Sequence, residues 1–315
     1  MPDIEISVID QEIAPDLDTQ QEILAELGVG LVTLRACDGK NMMALPVERV
    51  GEIAESHRSR NVEPWCLASP VLKMDLKPCV GIGAPFREVN DFMDNVVQAA
   101  IARAKAAKVQ GIRIFTGYLH PNTPRGYWDD VSLTYFVPAA TAINDADLDV
   151  YVEDEGNTGL RDAKDCVRYL RKAGIQRGVT VARDLGNEVI IPRSKNEIVA
   201  GTAILGDWLG VLHVKDVKPP RGGFHWSKGR VNESAVEGFV LAGQGNGCYP
   251  QVIGELVRGN YVPSRTIHPM KLRLDLEPHY TMTKGKDTQY GGTSGPEGVR
   301  LAHAALMALL KRVSQ

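Results

Sequence analysis

Four residues with metal-ligating side chains close four short apolar runs of the sequence. They are Glu153 after Leu148-Asp-Val-Tyr-Val, Asp184 after Val179-Thr-Val-Ala-Arg, His213 after Trp208-Leu-Gly-Val-Leu, and Glu277 after Leu272-Arg-Leu-Asp-Leu. Three carboxylates and one imidazole form a hard, oxygen-rich set that suits Mn²⁺, Mg²⁺ or Co²⁺, admits Zn²⁺ and disfavours thiophilic metals. A cation so held can chelate adjacent carbonyl and hydroxyl oxygens, polarise the carbonyl and stabilise the enediolate formed when the neighbouring proton leaves. Taken singly, each residue is weak evidence: an acid ending a run is more often a solvated or helix-capping carboxylate. Their joint placement carries the reading.

The elements that would position them follow from periodicity. An apolar, β-branched run reads as a buried strand, and its last residue stands at the strand's carboxyl end. Such runs occur at Ile4–Ile9, Gly30–Leu34, Val62–Leu67, Gly111–Phe115, Asp147–Val152, Gly178–Ala182, Leu209–Leu212 and Lys271–Leu276. Helical patterns alternate with them at Thr19–Leu27, Pro46–Arg60, Phe86–Lys108, Ser132–Asn144, Leu160–Lys172, Ser194–Ala200, Tyr249–Arg258 and Pro296–Val313. This alternation demands parallel strands with helical crossovers, and the count predicts an α/β fold of the closed (β/α)8 TIM-barrel kind over an open sheet. The carboxyl ends of all barrel strands meet at one rim. Glu153, Asp184, His213 and Glu277 would end the fifth to eighth strands, which are consecutive neighbours, and so could converge on one point.

Ser294-Gly-Pro-Glu297 reads as a capping box that opens the last helix. Two connections exceed what a bare barrel needs, Gly117–Val131 and Val217–Gly247, and loops of that length are usually functional or mobile. At the expected site, three carboxylates against a dication leave about one unit of negative charge, which would raise the proton affinity of a carboxylate there. Glu153 and Glu277 come from the first and last strands of the quartet. They should approach a bound substrate from opposite sides, one removing a proton and the other returning one.

Bulk properties narrow the classes. A chain of 315 residues, 43% hydrophobic, can bury a full core and is expected to form one domain over residues 1–315. A net charge of −3 and a pI near 6.2 give no global attraction to nucleic acid or to anionic lipid, so a small-molecule substrate fits better. The five cysteines, Cys37, Cys66, Cys79, Cys166 and Cys248, are odd in number and scattered, which argues against a disulfide framework and a thiolate zinc site. The acidic start Met-Pro-Asp-Ile-Glu lacks an apolar leader, and no stretch reaches the roughly 20 apolar residues that span a bilayer. A cytoplasmic protein is expected, without nucleic-acid or membrane partners, assembling as a homo-oligomer.

Several segments together resemble the sugar phosphate isomerase/epimerase family with the xylose-isomerase-like barrel, over nearly the whole chain. Leu34-Arg35-Ala-Cys-Asp38-Gly39-Lys40-Asn41 is similar to its E-L-R…D-G-K-N segment, with Thr33 where glutamate is usual, and Ser69-Pro70-Val-Leu-Lys73 to its S-P-x-x-K turn. Gly111-Ile-Arg113-Ile-Phe115 resembles the R-I-F strand, and Val152-Glu153-Asp154-Glu155 the E-N-E ending, with Asp154 in place of asparagine. Arg183-Asp184-Leu-Gly-Asn187, His213-Val-Lys215-Asp216, Gly243-Gln-Gly-Asn-Gly247, Leu276-Glu277-Pro-His279 and Gly292-Thr-Ser-Gly-Pro-Glu297 continue in order. The resemblance implies one divalent ion on Glu153, Asp184, His213 and Glu277, with Mn²⁺ as first choice and Mg²⁺, Co²⁺ or Zn²⁺ as alternatives. It also implies Glu153 and Glu277 as the acid/base pair, and substrate contacts at Arg35, Lys73, Arg113, Lys215, Arg221 and His279. The Thr33 departure suggests an altered substrate contact on the second strand.

Function divides accordingly. The leading expectation is a metal-dependent isomerase or epimerase of a small sugar or sugar phosphate. The alternative is a lyase or hydrolase of the same fold, of the dehydratase or C-glycoside deglycosidase type, which begins with the same proton abstraction and then expels a β-substituent. An apurinic endonuclease is disfavoured by the acidic charge and by the absence of histidines at the ends of the first three strands, and a non-catalytic barrel would leave the quartet without a purpose. Gly81-Ile-Gly83 lacks the context of a dinucleotide fingerprint, and Gly291–Gly295 reads as a helix start before it reads as an anion site. Lys215, Lys218, Arg221, Lys228 and Arg230 make the Val217–Gly247 loop basic, either solvated or a lid toward a phosphate or carboxylate. Tyr127 and Trp128 could close over a sugar face or serve dimer contacts, and His57 and His303 read as structural.

Overall fold

In a computed structural model, which describes residues 4–76, 88–120, 122–191, 193–220, 224, 226, 227, 230, 231, 238–280 and 294–315, eight parallel strands close into a barrel. The barrel strands are β1 (Ile4–Ile9), β2 (Leu31–Leu34), β3 (Glu63–Ala68), β4 (Gly111–Ile114), β5 (Asp149–Glu153), β6 (Val179–Asp184), β7 (Leu209–Val214) and β8 (Leu272–Leu276). Each pairs with its chain neighbour, and β8 closes the ring against β1 through Ile4↔Leu272 to Val8↔Leu276. Alternation along each strand sorts the side chains, since successive Cβ atoms point to opposite faces. Val150 and Val152, Leu209 and Leu212, and Leu272, Leu274 and Leu276 join the large apolar core between sheet and helices. The opposite face fills the narrow lumen, where Trp65, Tyr151, Ala182, Val211 and Met270 form a separate buried plug. The register then puts Asp184 opposite His213 and His213 opposite Asp275 at one level.

The crossover helices are α1 (Leu17–Leu27), α2 (Val47–Ser59), α3 (Gln98–Ala107), α4 (Arg125–Asp145), α5 (Ala163–Ala173), α6 (Lys195–Leu205), α7 (Tyr249–Arg258) and α8 (Gly295–Val313). A short helix, Val89–Phe92, and a π turn, Met93–Val97, lead into α3, and Leu185–Ile190 makes an extra turn after β6. No helix among the described residues is long and apolar enough to cross a membrane.

Two local expectations are corrected. The helix α4 begins at Arg125, so the second half of the supposed loop Gly117–Val131 is helical. Its first turns are held by Trp128, which is fully buried, donates from Nε1 to the Tyr118 carbonyl at 3.0 Å and lies where Gly159 leaves room for it. Trp128 therefore does not cover a ligand, whereas Tyr127 is 47% exposed. At α8, Ser294 makes no side-chain cap and has helical torsions. Its hydroxyl donates instead to Glu12 Oε2 at 2.7 Å and accepts from the Tyr280 N–H at 3.0 Å. The capping box stands at α6, where Ser194 and Glu197 satisfy each other's backbone N–H.

Candidate metal centre and its cavity

The alternation that builds the lumen aims Glu153, Asp184 and His213 inward at the ends of β5, β6 and β7, and Glu277 follows β8 directly. One ligand atom from each of the four lies within 4.8 Å of the others, and all four residues are buried. His213 Nδ1 is the hub, at 3.3 Å from Glu277 Oε2, 3.8 Å from Glu153 Oε1 and 3.9 Å from Asp184 Oδ2. Asp184 Oδ2, His213 Nδ1 and Glu277 Oε2 are buried without a well-formed hydrogen bond. Buried polar atoms are normally satisfied, and beyond the charged neighbours that these three have, their remaining lone pairs are free to take up a cation. Three carboxylates and an imidazole nitrogen at this spacing fit a hard divalent cation.

The surrounding cations alter the electrostatics foreseen for the quartet. Arg113 donates from Nη1 to Glu153 Oε2 at 2.7 Å, and Arg35 reaches Glu277 Oε1 while pairing with Glu12 Oε1 at 2.7 Å. Lys215 Nζ stands 2.5 Å from Asp184 Oδ2 and 3.7 Å from Glu277 Oε2. Burial pushes the Glu153 carboxyl up, but Arg113 and His213 outweigh it and hold it below the ordinary range. The same contest drives Glu277 well below that range, through Lys215 and Arg35. Only Asp184 is pushed up, to about 6, by burial that Lys215 only partly offsets. At the two glutamates, Arg113, Arg35 and Lys215, three cations unforeseen in the charge count, thus outweigh burial. Against its own burial, His213 is raised to about 9 by Glu277, Glu153 and Asp275.

A cavity of roughly 440 Å³ is lined by two of the quartet, Glu153 and Glu277. Arg35, Lys73, Arg113, Lys215 and His279 all line it, five of the six expected substrate contacts, and Arg221 lies outside the described residues. Each of the five already has a carboxylate partner: Lys73 pairs with Glu155 at 2.7 Å, and His279 Nδ1 with Glu12 Oε1 at 2.9 Å. Phe115 and Phe239 give the cavity apolar walls, and Gln11, Asn41 and Asn187 supply amides. Phe239 reaches it from the Val217–Gly247 connection, in a two-residue pairing with Asp216–Val217. The Asp216 carboxylate holds the last residues of that connection by accepting the N–H groups of Gly243, Gly245 and Gly247 at 2.8–2.9 Å. The glycine segments Gly81–Gly83 and Gly291–Thr293, with Lys228, fall outside the described residues, as do the side chains of His225, Trp226 and Arg230.

Thr33 does not reach the cavity. It faces the lumen beneath the site and donates from Oγ1 to Asp275 Oδ2 at 2.8 Å, which corrects the expected substrate contact. Residues that sequence reasoning missed include Asp275, Glu12, Gln11, Asn41 and Tyr249, whose hydroxyl ties the backbone of His213 and Lys215. The signal for Asp275 was present in Leu272-Arg-Leu-Asp-Leu, where charged residues alternate with leucines and so must face the lumen. Of the cysteines, Cys37, Cys66, Cys166 and Cys248 are free and buried, with thiols pushed up by burial.

No protein-family model and no curated protein matches the chain. Solved structures match it along nearly its whole length. A structure titled as the IOLI protein with a binding zinc atom has a TM-score of 0.69 at 10% identity, covering 98% of this chain and 99% of that one. A xylose isomerase-like TIM barrel protein from Mycobacterium smegmatis, in complex with magnesium, has a TM-score of 0.61 at 13% identity, with 97% of each chain covered. The D-psicose 3-epimerase of Clostridium cellulolyticum H10, with D-tagatose, has a TM-score of 0.64 at 12% identity and 99% coverage of both chains. The chain has the xylose isomerase-like TIM-barrel fold.

Proposed function

We propose that the protein is a divalent-metal-dependent isomerase or epimerase of a small sugar. The observation that carries this reading is the convergence of four buried ligand atoms within 4.8 Å of one another, two of them on residues, Glu153 and Glu277, that line a cavity. Fold alone fixes no reaction, but structural neighbours titled as L-ribulose 3-epimerase and D-psicose 3-epimerase agree with it. Glu153, Asp184, His213 and Glu277 would hold the ion. When bound, it would polarise a substrate carbonyl and offset the charge that develops as the adjacent proton leaves.

The chain's own groups supply the proton transfers. Glu153 and Glu277 are both held ionised in the resting protein, so either can accept a proton. One of them accepts the proton beside the carbonyl; the outcome is epimerisation when the other, having first taken up a proton from solvent, returns it to the opposite face of the substrate, and the abstracted proton then passes back to solvent. Asn187 donates to the Asp154 carbonyl at 2.8 Å and lies 3.4 Å from Glu153 Oε1, which orients the base. Arg35 and His279 bracket Glu277 and are placed to receive substrate hydroxyls. The apolar walls at Phe115 and Phe239 exclude water from the reacting carbons.

The test is proton exchange in D₂O with candidate ketoses and Mn²⁺. The wild type should place deuterium beside the carbonyl and give a product of otherwise unchanged mass, whereas Glu153→Gln and Glu277→Gln should exchange at least about a hundredfold more slowly. Loss of water or of an aglycone would assign the elimination chemistry instead, and near-wild-type turnover in either variant would refute the two-carboxylate mechanism.

A further inference from the structure

The groove between His213 and the barrel floor holds a carboxylate for which the proposed chemistry has no direct use. Asp275 is 1% exposed and points into the lumen, one strand from His213 at the same register. Both of its oxygens are pinned. Ser7 Oγ donates to Oδ1, and Thr33 Oγ1 donates to Oδ2 at 2.8 Å. Oδ2 also lies 4.0 Å from His213 Nε2, on the side of the ring opposite the three carboxylates that face Nδ1. That separation is about 1 Å beyond a hydrogen bond.

An imidazole that binds a cation through Nδ1 must be neutral there and carry its proton on Nε2. In a buried lumen that N–H needs an acceptor, or it costs the desolvation of an unpaired donor. We infer that Asp275, held by Ser7 and Thr33, is the positioning residue that commits His213 to presenting Nδ1 at the ion site. The inference rests on the metal-dependent reading above. It gives Thr33 and Ser7 a task unrelated to substrate, since each supplies the hydroxyl that keeps one oxygen of Asp275 from rotating away.

The experiment titrates Co²⁺ into the purified full-length protein and follows both heat and the visible spectrum of the bound ion. Wild type should bind one equivalent with a coordinated-nitrogen spectrum. Asp275→Leu, which keeps a similar volume and removes both acceptor oxygens, should weaken binding 10–100-fold and change the spectrum. Thr33→Val leaves Asp275 in place but frees one of its oxygens, and should weaken binding in the same direction by a smaller factor; it carries the test if the leucine variant does not fold. Wild-type affinity and spectrum in a folded Asp275→Leu variant, or in Thr33→Val where that variant does not fold, would overturn the positioning role alone. A wild type that takes up no Co²⁺ would overturn the metal reading and this inference with it.

Discussion

Lys215 Nζ lies 2.5 Å from Asp184 Oδ2, one of the four atoms that could hold a cation, and both side chains are buried. The lysine therefore does for the metal-free protein part of what the ion would do for the loaded one, namely neutralise Asp184. Removing one partner of a buried pair strands the other at a cost of about 3–5 kcal/mol. Lys215→Met is expected to lower the melting midpoint without added metal by roughly 5 °C or more. Mn²⁺ should raise the midpoint of the variant more than that of wild type, because the ion then meets a carboxylate with no competitor. Paired thermal scans with and without Mn²⁺ check this, and equal metal-induced shifts would contradict it.

Arg113 and Glu153 are coupled in the same way, by a 2.7 Å ion pair, with consequences for pH. Burial alone raises a carboxyl; here Arg113 leads the groups that bring Glu153 below its ordinary value. Arg113→Met takes away that opposition, so Glu153 binds its proton at higher pH and loses its function as a base there. The acidic limb of kcat/KM should move upward by about 1–3 pH units, with the alkaline limb unchanged. A full pH profile of variant and wild type is the measurement.

The elements that position this site were readable because they depend on local periodicity. Leu148–Glu153 and Leu209–His213 announce a strand, its end and a candidate ligand in one short window, and barrel closure then brings the four ends together. Groups whose meaning lies in a distant partner were not readable. Thr33 meets Asp275 across 242 positions, and Ser294 meets Glu12 across 282, so a local reading made one a substrate contact and the other a helix cap. The start of α4 was hidden for a related reason: Pro124 and Gly126 look like loop residues, and the turn forms because Trp128 finds a space beside Gly159. The neutralising cations Arg113, Arg35 and Lys215 were visible as residues, but their pairing with particular carboxylates is a property of the closed barrel.

Gly245 sits where no side chain fits. A Cβ there would lie 2.3 Å from Asp216 Oδ1 and 2.5 Å from the Val217 carbonyl, both far inside contact distance and one of them backbone. Gly245→Ala should therefore break the fan of N–H groups on Asp216 and release the segment that brings Phe239 to the cavity. Because the barrel strands are untouched, global unfolding should change little, while KM rises roughly tenfold, the loss of about 1.4 kcal/mol of binding. Limited proteolysis should show new cleavage near residues 238–247. Unchanged KM with unchanged protection would show that Phe239 is held by other means.

His57, in the last turn of α2, is fully buried, and neither ring nitrogen has a hydrogen-bond partner among the described residues. Burial, with a smaller push from Arg60, lowers its pKa from 6.5 to about 4. The unfolded chain therefore takes up a proton at higher pH than the folded one, so stability is complete above about pH 6.5 and declines as the pH falls toward 4, below which both states are charged. At about 1.4 kcal/mol per pH unit this group removes roughly 3 kcal/mol across that window. His57→Leu keeps an apolar side chain of fitting size and has no proton to bind, so its urea midpoint should fall less between pH 6.5 and 4 than that of wild type. Parallel slopes for the two proteins would show that His57 does not carry the acid sensitivity of this window; burial opposes, but His279 and Arg35 hold Glu12 at about 2, so its contribution is lost only as the pH falls from about 4.5 toward 2.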